Sequence, residues 1–168
     1  MIYKTTYKSP VGRYYLYASE QGLEGIYLEN QKYFYKTKEQ ILIKDDLPVF
    51  DFIKHWLDDY FAGKNPIIDL SILSMHGTSF QNEIWSILAT IPYGKTMTYG
   101  DIAKLLAKQR GIERMSAQAV GGAVGHNPFS IYIPCHRILG SDGSLTGYAG
   151  GIEVKRVLLE LEGIFPRQ

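Results

Sequence analysis

Cysteine is nearly absent from this sequence: Cys135 is the only one in 168 residues. A lone cysteine forbids an intramolecular disulfide and any zinc cage built from several thiolates. An excess of one charge is lacking too, because 18 Lys/Arg stand against 17 Asp/Glu for a formal net charge of +1. Charge alone therefore selects no partner. No stretch reaches the ~18 apolar residues of a membrane span, and the opening MIYKTTYKSPVG has no apolar core followed by a cleavage site. Internal repeats are missing as well. These absences predict a cytoplasmic protein with no membrane partner. What is present is a composition of 45% hydrophobic and 21% charged residues with 17 Gly and 7 Pro. It excludes a disordered or collagenous chain and leaves one compact domain or two small ones.

The first third reads as strands. Ile2 to Lys8, Tyr14 to Ala18 and Leu23 to Leu28 are rich in Tyr, Thr, Ile and Leu, and turn candidates Ser9-Pro10-Val11-Gly12 and Glu20-Gln21-Gly22 separate them. Leu47 to Ala62 then spaces Phe50, Ile53, Trp56, Leu57, Tyr60 and Phe61 for one helix face, which suits a helix covering an antiparallel meander. Asn65 to Gly77 is a connection, and the domain boundary is placed at its end, giving residues 1–76 and 77–168. Beyond it the texture turns helical. Thr78 with Gln81 offers a capping box, Thr98 can cap Tyr99 to about Lys108, and Ser116 can cap a helix through AQAVGGAV. The last two helices resemble a helix-turn-helix, although Ala107 to Met115 is long for its turn. A final amphipathic helix spans Ile152 to Leu161.

Within Ser116 to Gly125 the residues Ala117, Ala119, Gly121, Gly122 and Ala123 are all small. Glycine inside a helix costs about 1 kcal/mol relative to alanine, so adjacent Gly residues need a reason. Tight helix packing and close approach of another surface both supply one.

Cys135 is either an inert buried thiol or a reactive one. It sits in IYIPCHRIL, where His136 and Arg137 follow directly. A free thiol is mostly protonated at neutral pH, so a nucleophilic cysteine needs a base or a positive field, and these two neighbours provide both possibilities. On an extended strand His136 would point away from the sulfur, so contact between them needs a turn or a water.

PCHR, preceded by AVGGAVGHNP and followed by GSDGSLTGYAGG and a helix ending in LLELEG, resembles the O6-alkylguanine-DNA alkyltransferases, also called methylated-DNA-protein-cysteine methyltransferases. The likeness is close over Gly77 to Gly163, and SPVGRYYLYA and GLEGIYLE are similar to that family's more variable domain. It implies an α+β fold: a ribonuclease-H-like antiparallel sheet with a covering helix, then a helical domain with a winged helix-turn-helix-like DNA-binding element. It implies a monomeric repair protein without cofactor, metal or obligate protein partner. A thiolate takes the alkyl group from O6 of a guanine flipped out of double-stranded DNA, once and irreversibly.

By the same resemblance, Cys135 is the alkyl acceptor and His136 activates it through a water, held in turn by Glu162. Asn127 fixes the loop before the active strand, and Tyr99 donates to the departing guanine. The Cys135 and Ile138 carbonyls and the Ala149 amide read the base edge, while Tyr148 and the loop from Ser144 to Gly151 wall the pocket. Arg137 and Lys155 are further expected contacts to DNA or base. The small-residue helix, with Gln118, Ala119 and Gly122, is expected in the minor groove. Two departures stand out. Gln118 occupies the place of the arginine that commonly fills the gap left by the flipped base, and the longer connection carries Lys108, Arg110 and Arg114, expected to compensate through phosphate contacts. Rival readings are a lesion sensor, which would have replaced the acceptor cysteine, a plain helix-turn-helix regulator with a structural thiol, and a Cys-His hydrolase.

Overall fold

Strand-forming residues open the chain and set its first unit. The computed structural model describes residues 1–166, which divide into Met1–Met75 with Pro128–Tyr132, and His76–Asn127 with 133–166. In the first unit, β1 (Ile2–Ser9), β2 (Gly12–Ser19) and β3 (Gly22–Leu28) form the antiparallel meander. The β2–β3 turn requires glycine: Gly22 sits at φ 143°, and a Cβ there would lie 2.6 Å from the Ile72 carbonyl oxygen. A fourth strand, β4 (Ile41–Ile43), pairs parallel to β1 at the sheet edge, giving the order β3-β2-β1-β4. Its three exposed apolar residues carry no alternation, so no periodicity announced it.

Helix α1 (Pro48–Phe61) starts with proline in its first turn and buries Phe50, Ile53, Trp56, Leu57 and Tyr60. It lies on the sheet face carrying Tyr14 and Leu16, both fully buried. Lys54 donates to Thr5, and Tyr7 donates to Asp58 on that side. The opposite face holds Ile2, Tyr17 and Tyr27, packed by Tyr15, Phe34 and Tyr35. Pro128–Tyr132 runs beside β3: the Ile26 amide donates to the Pro128 carbonyl at 2.8 Å and the Ser130 amide donates to the Ile26 carbonyl at 3.1 Å. The segment reverses at Ile131, a β-branched residue at φ 70° closed by a 2.8 Å bond from the Tyr132 amide to the Ser130 carbonyl. That γ-turn is strained for a branched side chain, and full burial holds it.

The second unit contains α2 (Ser79–Leu88), β5 (Met97–Thr98), α3 (Tyr99–Arg110), α4 (Ala117–Gly125), β6 (Ile138–Leu139) and α5 (Ile152–Leu161). Reciprocal capping boxes start α2 at Thr78 with Gln81 and α3 at Thr98 with Asp101, and Ser116 caps α4 through the Ala119 amide. Gly111 in the left-handed conformation stops α3. The Trp85 indole on α2 donates to the Ala123 carbonyl of α4 at 2.9 Å, fixing the spacing of these helices. β5 and β6 form a two-stranded parallel ladder that brings the start of α3 beside the segment following Cys135. Among the described residues no helix is long and apolar enough to cross a membrane.

Candidate active site

Proline aims the cysteine. Pro134 has φ −78° and ψ 65°, the values of an inverse γ-turn, and the Cys135 amide closes it by donating to the Ile133 carbonyl at 2.7 Å. Cys135–Arg137 then forms one 3₁₀ turn rather than extended strand, so Cys135, His136 and Arg137 are not thrown to alternate sides. Cys135 is 7% exposed. Asn127, at the end of α4, donates to the Ile133 carbonyl at 2.8 Å, which ties the entry of this turn to the helix. Burial pushes the thiol pKa up, against hydrogen bonds to Asn127 and Tyr148 and the positive charge of Lys155. At rest the sulfur is therefore a protonated, hydrogen-bonded thiol.

His136 is fully buried, and its Nε2 lies 2.6 Å from Glu162 Oε2. A bond to a carboxylate assigns the imidazole proton to Nε2 and leaves the lone pair on Nδ1. Burial lowers the His136 pKa, and the charges of Arg137 and Lys155 add to that effect while Glu162 opposes it; the ring is neutral. Glu162, in the C-terminal cap of α5, also accepts from Arg137 Nε at 2.8 Å, from Arg137 Nη2 at 3.3 Å and from the Gly94 amide at 3.0 Å. Burial alone would raise its pKa, but the hydrogen bonds from His136, Arg137 and the Gly94 amide outweigh it and bring it to about 2. The helix end offers no help to this anion. Arg137 supplies the positive charge instead.

Arg137 thus departs from the expected DNA contact. It is 4% exposed, its guanidinium is spent on Glu162 and the Ile91 carbonyl, and it lies 5.7 Å from the Tyr93 ring centre. A buried carboxylate needs such a partner, because isolated charge inside protein is costly. Lys155 also faces inward. It is fully buried, with Nζ 3.5 Å from the Thr146 carbonyl, and burial brings its pKa down to about 8. Spacing within PCHR placed Arg137 beside the histidine; the pairing with Glu162 depends on α5 returning to the turn.

Tyr99, first residue of α3, accepts at its phenol oxygen from Thr146 Oγ1 at 3.1 Å. Neither Thr146 nor the Gly94 amide was singled out by sequence, and threonine in a Gly- and Ser-rich loop gives no signal. Tyr99, Gly100, Ala117, Gln118, Gly121 and Ser141 line a groove of about 480 Å³. Ser144 spends its hydroxyl and amide on Asp142, shaping its own loop. Tyr148 and Ala149 are half-buried in the same loop, and Ile138 is buried in β6.

Helix α4 buries Val120, Ala123 and Val124 and exposes Ala117, Gln118, Ala119 and Gly122. A Cβ on Gly122 would meet nothing within 4 Å, whereas one on Gly121 would sit 3.7 Å from the Tyr99 ring. Internal packing does not demand the missing side chain at Gly122. Arg110, expected on phosphate, pairs with Glu83 at 3.1 Å and lies 5.5 Å from the Phe80 ring centre. The helix α3 runs on to Arg110, so the connection is shorter than the sequence suggested: Lys108 lies exposed in the last turn of α3, and Arg114 lies exposed on the connection that follows.

Comparison with known proteins matches residues 2–73 to the ribonuclease-like domain of 6-O-methylguanine DNA methyltransferase and residues 79–164 to its DNA-binding domain. The methylated-DNA–protein-cysteine methyltransferase of Haemophilus influenzae is 42% identical over 163 residues, covering 97% of this chain and 87% of the relative. That of Methanosarcina acetivorans is 38% identical over 96% of this chain and 99% of its own. The crystal structure of Mycobacterium tuberculosis OGT in complex with DNA superposes with a TM-score of 0.82 at 40% identity, covering 96% of this chain and 93% of that one.

Proposed function

The chain belongs to the 6-O-methylguanine DNA methyltransferase family, and on that premise we propose that it repairs DNA by moving the alkyl group of an O6-alkylated guanine onto its own Cys135. The observation that carries this reading is the buried contact of 2.6 Å between His136 Nε2 and Glu162, one residue from the sulfur. It gives the thiol a base whose lone pair is on Nδ1 and whose orientation is fixed by an ionised carboxylate.

The roles follow from the chemistry. The Cys135 proton passes to His136 through a water, and Glu162 stabilises the imidazolium while remaining ionised because Arg137 and Gly94 hold it so. The buried ammonium of Lys155 favours the thiolate. Sulfur then attacks the alkyl carbon: the Sγ–C bond forms as the C–O6 bond breaks, and the bonding pair stays on guanine. Tyr99 donates a hydrogen bond to the departing base. The thioether is stable, so each molecule acts once.

A cysteine that is only 7% exposed cannot meet a base stacked inside a duplex, so the guanine enters by flipping out. Gly122, with open space where a side chain would stand, supports laying α4 in the minor groove, where its thin profile permits close backbone approach. Gln118 at the rim of the groove beside Tyr99 takes the gap left by the flipped base. Lys108 and Arg114 contact phosphate, Arg110 being engaged with Glu83. Residues 77–168 carry the reaction and 1–76 serve as scaffold, in a reducing cytoplasm that keeps the single thiol reactive.

The test is intact mass after incubation with duplex DNA containing O6-methylguanine. The protein gains one methyl group on Cys135, and Cys135→Ala gains none. Retained binding without an adduct would make this a lesion sensor, and repeated turnover would make it a different enzyme.

A further inference from the structure

A phenol can donate or accept a hydrogen bond, and assisting a departing guanine requires it to donate. Nothing in Tyr99 itself decides between these roles. The loop between β6 and α5 does, through Thr146. The Thr146 hydroxyl donates to the Tyr99 oxygen at 3.1 Å. That bond takes up an acceptor position on the phenol and turns its own proton away from Thr146. Thr146 is itself held, since its carbonyl lies 3.5 Å from the Nζ of fully buried Lys155. The Tyr99 ring lies 3.7 Å from a Cβ built on Gly121, so the ring is confined between α4 and this loop. Tyr99 also lines the groove of about 480 Å³, together with Gln118.

We propose that Thr146 is a positioning residue of the alkyl transfer, whose hydroxyl holds Tyr99 as a donor toward the flipped guanine. This rests on the reading that Cys135 accepts the alkyl group and Tyr99 faces the base. In the step, the Sγ–C bond forms, the C–O6 bond breaks and the electron pair remains on guanine. Tyr99 donates its hydrogen bond to the developing anion, and Thr146 donates to Tyr99. Donation along such a chain strengthens each bond in it.

Single-turnover methyl transfer from O6-methylguanine duplex is measured for wild type, Thr146→Val, Thr146→Ser, Tyr99→Phe and the double variant Tyr99→Phe/Thr146→Val, with binding to unmodified duplex and thermal midpoint recorded for each. Thr146→Val, nearly isosteric, slows transfer about five- to tenfold, the worth of one hydrogen bond made in the transition state. Thr146→Ser restores the rate, and the valine has no further effect once Tyr99 is phenylalanine, the non-additivity expected of residues that act together. Equal slowing by valine in both backgrounds, or a rate unchanged by valine, overturns the proposal. A wild-type protein that acquires no methyl group overturns the alkyl-transfer reading instead, so the two failures are distinguishable.

Discussion

The turn at Cys135 and the exposed face of α4 lie in the same unit and are built on opposite principles. Around the turn, His136, Arg137, Lys155 and Glu162 are all buried, and the Glu162 carboxylate is answered bond by bond. On α4, Ala117, Gln118, Ala119 and Gly122 face outward, and a Cβ at Gly122 would touch nothing. The first region places charge where a reaction needs it before any substrate arrives. The second keeps its surface bare so that something larger can come close. Substitutions in the first should therefore disturb folding and chemistry together, and those in the second should change binding while sparing the fold.

The largest effect is expected from Glu162→Ala, which leaves the Arg137 guanidinium buried without its carboxylate. Urea unfolding should show a loss of about 3–5 kcal/mol, the usual result of removing one partner from a buried pair, and methyl transfer should collapse with it. A variant as stable as wild type would show the cluster to be dispensable for the fold. Next is Lys155→Met. Removing a buried charge for an apolar chain of similar length should leave stability equal or higher, while the rate against pH shifts to higher pH because the thiolate loses its neighbouring cation. An unshifted profile would remove Lys155 from the chemistry.

Acid offers a gentler probe of the same cluster. The Glu162 pKa falls from the usual 4.5 to about 2 in the folded protein. A lowered carboxylate pKa contributes stability that is complete above the unfolded value and is lost as pH falls through the folded one. The stability gap between wild type and Glu162→Gln should accordingly narrow between pH 4.5 and about 2, read by urea unfolding at each pH; a constant gap would assign the effect to shape alone.

On α4 the comparison predicts the reverse pattern. Gly122→Ala should raise stability by up to about 1 kcal/mol, since glycine is the poorer helix former, while weakening DNA binding, most visibly in the bulkier Gly122→Leu. Stabilisation with unchanged affinity would take this face away from DNA. The smallest effect belongs to Lys108→Gln with Arg114→Gln, which should flatten the dependence of log affinity on log salt by up to about 0.9 per lost phosphate contact. Arg110→Gln should instead act on stability, because Arg110 holds Glu83.

Sequence made much of this legible where the signal is local. The strands β1 to β3, the helix α1 and the caps at Thr78, Thr98 and Ser116 were readable from pattern and cap chemistry, because each is decided by residues within a few positions. The exposed three-residue strand β4 was not, since its only support is pairing with β1 from across the sheet. Arg137 and Lys155 were legible as charges near the cysteine but not as inward-facing ones. A basic residue reads as a surface contact until a distant carboxylate or carbonyl is seen to receive it.

By itself, then, the sequence determined a single cysteine, the turn-forming proline before it and the histidine after it, because covalent neighbours cannot be separated. Tertiary structure alone decided that Glu162 lies against both His136 and Arg137, that Gly94 donates to the same carboxylate and that Thr146 reaches Tyr99. These contacts join residues 25 to 68 positions apart. Burial, by excluding water around His136, Arg137 and Glu162, is what gives those pairs their strength.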